Sequence, residues 1–237
     1  MNVRSQIRPA ARRARRPGGA AAVSAVSATT APRRGRGRPP RVGGREALLD
    51  AALTLFAERG YHGASIPEIA AAARMAPASV YRHVASKDEL VNLVFRDAKA
   101  ALGAALAAGV PTTGTLRARF DALWAALDRF AREQPRAFAF LELHHHGDYL
   151  DAASRAVELR VLAPIAAVVQ QGLATRALRG GSAPALIIAV WGAFVGMIRA
   201  TRAGYVAFTP ALSREVAATA WAAIAGPSAP RATKDSP

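Results

Sequence analysis

Ser65-Ile66-Pro67-Glu68-Ile69-Ala70-Ala71-Ala72-Ala73-Arg74-Met75-Ala76-Pro77-Ala78-Ser79-Val80-Tyr81-Arg82-His83 decides the fold of this 237-residue chain. Ser65 to Glu68 reads as a capping box. The Ser hydroxyl accepts from the third helical N–H, and the Glu three residues on returns the bond to the Ser. Pro67 fits a first turn, where its missing N–H costs nothing. A short helix over 66–73 follows, with Ile66, Ile69 and Ala70 facing inward. Arg74-Met75-Ala76 is a three-residue turn. Pro77 opens the next helix at its favoured first position, and that helix runs through Ser79, Val80, Tyr81, Arg82 and His83. Two short helices joined by a tight turn form a helix-turn-helix, whose second helix is shaped to enter a major groove.

The flanks agree. Upstream, Arg45 to Arg59 carries Ala47, Leu48, Ala51, Leu55 and Phe56 at helical spacing, with Glu46, Asp50 and Glu58 off that stripe. Gly60 stops this helix as a C-terminal cap would. Downstream, Ser86-Lys87-Asp88-Glu89 is a second capping box and starts a fourth helix.

This block resembles the N-terminal domain of the TetR family of bacterial transcriptional regulators. The matching residues are Ala51-Ala52, Leu55-Phe56, Glu58, Gly60-Tyr61, Ser65-Ile66, Glu68-Ile69-Ala70, Ala73, Tyr81, His83, Ser86-Lys87 and Leu90. The chain departs from the family in the turn, where Gly-Val-Ser is usual and Arg74-Met75-Ala76 stands. Arg74 must then take a backbone position usually given to Gly. Ala76 removes the usual N-cap hydroxyl, a loss of about 1 kcal/mol. Ala78 stands where a Gly is common. The resemblance implies double-stranded DNA with a palindromic operator as partner. Tyr81 and His83 are expected at phosphates and Ser79 and Arg82 nearer the bases. Pro77 and Ala78 are expected against apolar base groups, and Lys87 on a phosphate. Ser65 joins the same DNA-contacting set.

Charge distribution sharpens this reading. The net charge is +16, but residues 1–44 hold eleven Arg and no acid, while residues 45–99 hold seven basic and seven acidic groups. The helix-turn-helix is therefore basic only locally. Residues 1–44 have no hydrophobic periodicity and read as a disordered tail. Within it, Pro32-Arg33-Arg34-Gly35-Arg36-Gly37-Arg38-Pro39-Pro40-Arg41 resembles an AT-hook. Arg36 and Arg38 are expected on the floor of a narrow minor groove. A protein coating DNA without sequence preference through this tail is the alternative reading.

The chain is all-α, with four expected segments. They are a tail over 1–44, a DNA-binding domain over 45–92, a ligand-binding and dimerisation bundle over 93–226, and a second tail over 227–237. Helices are expected at 87–107, 115–133, 135–147, 150–178, 183–203 and 210–225, with Pro164 kinking the fourth. The longest apolar run, Pro184 to Ile198, is fifteen residues. That is short of a membrane span, so no membrane partner is expected and the cytoplasm is the expected location. The absence of Cys excludes disulfide and thiolate chemistry. No nucleophile–base pair or phosphate-binding Gly loop is present, so neither an enzyme nor a cofactor is expected.

By resemblance, 183–203 and 210–225 pair with their copies in a homodimer. The resemblance also implies a repressor released from its operator by a small-molecule effector bound in the bundle. Phe120, Trp124, Phe138, Phe140, Leu141, Trp191 and Phe194 are candidates to line that pocket, or to be plain core. Glu142-Leu143-His144-His145-His146 is the one metal-like segment. On a helix, Glu142 and His145 or His146 would share a face. A hydrolytic metal centre there is a remote alternative to histidines that simply complement a helix C-terminus.

Overall fold

A computed structural model describes residues 44–227. The described residues form nine helices and no strand, apart from an isolated antiparallel bridge between Leu178 and Ala225. Three helices make the first layer: α1 (Arg45–Gly63), α2 (Ile66–Ala72) and α3 (Pro77–Val80). Gly60 sits at φ 70°, so the regular part of α1 ends at Arg59 as its sequence requires. Leu48, Ala52, Phe56, Ile69 and Val80 are fully buried at the centre of this layer.

The capping box at Ser65 is complete. The backbone N–H of Glu68 donates to Ser65 Oγ at 3.4 Å, and that of Ser65 donates to Glu68 Oε2 at 2.9 Å. Ser86 caps the next helix by accepting from Glu89 N–H at 3.1 Å. There the Glu89 carboxylate reaches Ala85 N–H rather than that of Ser86. Arg74 occupies left-handed space at φ 56°, as the turn demanded.

α4 (Lys87–Gly109) belongs to both halves of the molecule. It packs on α1 and also on α5 (Leu116–Glu133), α6 (Pro135–Leu143) and α7 (Ala152–Ala174). Leu90, Val91 and Phe95 bury its inner face near the start, and Leu102 and Leu106 do so near the end. At Gly103 it lies so close to α7 that a Cβ would stand 2.9 Å from Val161 Cγ2. α8 (Ala183–Arg202) and α9 (Pro210–Ile224) pack on each other and close the bundle.

Two helices of the bundle are shorter than their sequences suggested. α6 ends at Leu143 rather than 147, because His144 is extended at φ −111°, ψ 156°. The His146 ring turns back onto the Phe140 carbonyl at 2.6 Å and occupies an acceptor in the last turn. α7 stops at Ala174 rather than 178. Arg176 adopts φ 58°, and the N–H of Leu178 closes onto Gly172 O at 3.0 Å. α7 continues through Pro164, which leaves the Arg160 carbonyl without its helical donor.

α8 contains the apolar run Pro184 to Ile198. An 18-residue window of this 20-residue helix has a mean hydropathy of 1.8, enough to cross a membrane by length and composition alone. Leu186, Phe194, Met197 and Ile198 are nevertheless buried within the bundle, and core helices pass the same test.

Candidate nucleic-acid interface and adjoining cavity

The helix-turn-helix presents a small surface. Pro77, Ala78, Tyr81 and Arg82 are exposed, while Val80 anchors the element from below. The third helix is shorter than its pattern suggested. Regular α structure ends at Val80, and Tyr81–His83 continue as turns closed by His83 N–H on Val80 O at 2.8 Å. Arg82 Nη2 donates to Ser79 Oγ at 2.7 Å, so the two residues expected nearest the bases hold each other in position. His83 is half-buried beside them. The Ser65 hydroxyl is committed to the α2 cap.

The Lys87 ammonium lies over the Tyr61 ring, 4.2 Å from its centre. Partial burial pulls the Lys87 pKa down, against the neighbouring Asp88 and Glu68 carboxylates. The Tyr61 hydroxyl donates to Asp88. That bond, with burial, pushes the phenol up to about 12. Arg36 and Arg38 lie outside the described residues.

Behind this surface, residues 144–151 join α6 to α7 and touch α1 directly. His144 Nε2 lies 2.8 Å from Ala57 O on α1. Tyr149 stacks on Tyr61 with ring centres 4.5 Å apart. Asn92 of α4 donates to Tyr149 O at 2.8 Å and accepts from Asp151 N–H at 2.9 Å and Ser154 Oγ at 2.7 Å. Asp151 caps α7 and pairs with Arg96 at 3.0 Å. The Ser154 N–H and the Arg96 guanidinium hold its carboxyl below the usual range.

The three histidines therefore diverge. His144 faces α1, and His145 is exposed near Asp148 at 3.9 Å. His146 sits between the Phe140 carbonyl and the Tyr149 hydroxyl. Burial lowers the His146 pKa, which favours a neutral ring rather than a cation at the helix end. Glu142 points elsewhere. Its Oε1 is 3.4 Å from Lys99 Nζ, and its Oε2 accepts from Trp191 Nε1 at 3.0 Å. The shared face expected of Glu142, His145 and His146 is lost because α6 ends before the histidines. Among the described residues no His, Asp or Glu group could hold a metal.

The second feature is a cavity of about 510 Å3, partly open to solvent, lined by α4, the α4–α5 connection, α5, α7, Leu178 and α9. Leu106, Val110, Leu123, Val161, Ile165 and Trp221 are among its walls. Of the seven sequence candidates, only Phe120 lines it. Trp124, Phe138, Phe140, Leu141 and Phe194 are buried in the core instead. Phe138 and Trp124 meet Phe194 edge-on at 5.6 and 5.1 Å. Trp191 is spent on Glu142. Sequence reasoning missed Arg119 and Arg160, which do line the cavity. A signal for Arg119 existed. It falls in the stripe Leu116, Arg119, Phe120, Leu123, at the spacing of an inward face.

Residues 48–94 match the family described as bacterial regulatory proteins, tetR family, and residues 95–226 match the tetracyclin repressor-like C-terminal domain. The chain is 36% identical over 90 residues to the HTH-type transcriptional repressor KstR2 of Rhodococcus jostii, covering 36% of this chain and 44% of that protein. It is 31% identical over 144 residues to the HTH-type transcriptional activator FasR of Mycolicibacterium smegmatis, covering 56% and 64%. The chain thus spans about half the length of the curated relatives it matches. A TetR family transcription regulator from Marinobacter aquaeolei VT8 shares the fold, with a TM-score of 0.69, 22% identity, and 77% and 95% of the two chains covered. The two matched families together take in both the helix-turn-helix and the bundle that holds the cavity, and the chain belongs to the TetR family.

Proposed function

We propose that this protein is a homodimeric, sequence-specific DNA-binding regulator. In this reading it is a repressor that leaves a palindromic operator when a small molecule fills the bundle cavity. The observation that carries the reading is the exposed set Pro77, Ala78, Tyr81 and Arg82 on a buried Val80 anchor. It is a rigid presentation of contact groups at the size of a major-groove reader. Residues 45–92 act as the DNA-binding unit and 93–226 as the regulatory unit, with α4 shared between them. The site of action is the cytoplasm, where chromosomal DNA lies.

Dimerisation is supported by α8 and α9. Ala185, Ile188, Ala189, Gly192 and Gly196 form an exposed, small-residue stripe on α8, and Ile188 is 69% exposed. Gly192 and Gly196 have nothing within 4 Å of where a Cβ would stand. A second copy of the α8–α9 pair would cover that stripe.

Selection of binding sites from a random DNA library by the full-length chain tests the proposal. Wild type should enrich an inverted repeat. Arg82→Ala should relax the preference at one position in each half-site, losing about 1–3 kcal/mol there. Lys87→Ala should weaken binding to all sequences alike and flatten the salt dependence by about one unit. Enrichment of no sequence by wild type would leave only a non-specific coating role and end the proposal.

A further inference from the structure

The cavity has one polar feature that its apolar walls do not explain. No Asp or Glu lines it, but two guanidiniums do, Arg119 from α5 and Arg160 from α7. Among the described residues neither has a carboxylate partner within 4 Å. Arg119 Nη1 donates to Gln171 Oε1 at 3.3 Å. Its Nε is buried and finds no acceptor. A charged donor removed from water without an acceptor is costly, and buried polar atoms in folded proteins are nearly all paired. That Nε is covered by protein, but a cavity wall carrying two guanidiniums and no carboxylate is what an anionic head group would complement.

We infer that the cavity takes an amphipathic monocarboxylate. Its apolar body would lie against Leu106, Leu123, Val161, Ile165 and Trp221, and its carboxylate would accept from Arg119. Arg160, exposed at the wall, adds positive potential without being desolvated. The inference rests on reading the cavity as the effector site. Size constrains the body. At roughly 30 Å3 per water-sized group, 510 Å3 holds about 17 non-hydrogen atoms. That matches a carboxylate on a chain or ring system of about a dozen or more carbons. A cationic amphiphile would face two guanidiniums with no counter-charge. A neutral one would offer the two guanidiniums no counter-charge. The planar fork of one guanidinium fits one carboxylate.

The test is calorimetric titration of the full-length chain, and of a Trp124→Phe/Trp191→Phe variant whose remaining Trp221 reports by fluorescence from the cavity wall, with dodecanoate, 1-dodecanol, dodecylamine and acetate. Dodecanoate should bind, and 1-dodecanol should bind about ten-fold more weakly or worse. Dodecylamine and acetate should not bind measurably. Arg119→Gln should weaken dodecanoate by about ten-fold or more while 1-dodecanol binds as before, which also shows that the variant's cavity is intact. Arg160→Gln should have a smaller effect, because its head group is solvated. Equal affinity for acid and alcohol, undiminished dodecanoate binding by Arg119→Gln, or no binding of any probe would each overturn the inference. Operator release is read in parallel. Arg119-dependent acid binding without release would keep the ligand class and remove the effector role. Release by the alcohol but not the acid would do the reverse.

Discussion

Replacing Lys99 by Met isolates a charge that the bundle can keep only because Lys99 is there. Lys99 is 5% exposed and bridges Glu142 at 3.4 Å and Glu158 at 3.3 Å. The Glu142 side chain is 10% exposed and that of Glu158 36% exposed. Glu158 can therefore return to water, whereas Glu142 cannot. Removing one partner of a buried pair typically costs about 3–5 kcal/mol. Both contacts are longer than the roughly 2.7–2.9 Å of a tight charge-assisted bond, so a loss near about 3 kcal/mol is expected for Lys99→Met.

The sign with pH follows from Glu142. Burial pushes its pKa above the ordinary 4.5, and the Lys99 charge and the Trp191 N–H pull it back. The folded state then holds that proton more tightly than the unfolded chain. The Glu142 contribution is fullest at and below pH 4.5 and falls as pH rises through the raised folded value. Without Lys99 the fall should be deeper and reach to higher pH. Adding Glu142→Gln should restore most of the loss, because a Gln oxygen still accepts from Trp191. Urea unfolding at fixed protein concentration from pH 5 to 8 measures both variants against the wild type. A Lys99→Met loss below about 1 kcal/mol, or one that Glu142→Gln fails to recover, would refute the argument.

Gly196→Leu, alone or with Gly192→Leu, should leave the monomer folded, since both positions face open space. Sedimentation should show the dimer lost, and a variant that stays dimeric would remove α8 from the interface. Arg74→Gly should raise the urea midpoint by the equivalent of about 0.5–1 kcal/mol, because a side chain at φ 56° is strained; an unchanged midpoint would show the strain to be absorbed elsewhere. Gly172→Ala should destabilise by about 1–3 kcal/mol. Its Cβ would stand 2.7 Å from Leu178 Cγ and 2.8 Å from Leu116 Cδ2, and a neutral thermal shift would mean that this corner is slack.

Local chemistry made the helix-turn-helix legible in the sequence. Ser65 and Glu68 satisfy each other within one turn, Pro77 sets its own φ, and Gly60 announces left-handed backbone, whereas the same conformation at Arg74 was implied only by the family resemblance. Each device acts over a few residues, so the order of residues is enough to find it. The end of α6 was not legible, because contacts distant in sequence set it: His144 with Ala57 and Tyr149 with Tyr61. The cavity walls were illegible for a related reason. Large aromatic side chains suggested a pocket, but Trp124, Phe138 and Phe194 fill space against one another. The empty space was left where medium-sized Leu, Val and Ile of four helices meet. Volume left over after packing has no sequence period. Arg119 was within reach, since a charged residue in an inward stripe is out of place unless something answers it.

α4 converts angle into distance. Its 23 residues span about 35 Å at about 1.5 Å per residue, with Lys87 at one end and Gly103, Leu106 and Ala107 against the cavity at the other. A rod of that length tilted by about 5° swings its far end by about 3 Å. In a symmetric pair the two ends swing together, and the gap between the reading heads changes by up to about 6 Å. DNA offers its half-sites at a fixed pitch of about 34 Å, so an opening of that size puts the second head out of phase once the first has docked. Under the proposed function, a molecule filling the space between α4 and α7 would act on the reading heads through this lever without touching the DNA-binding surface.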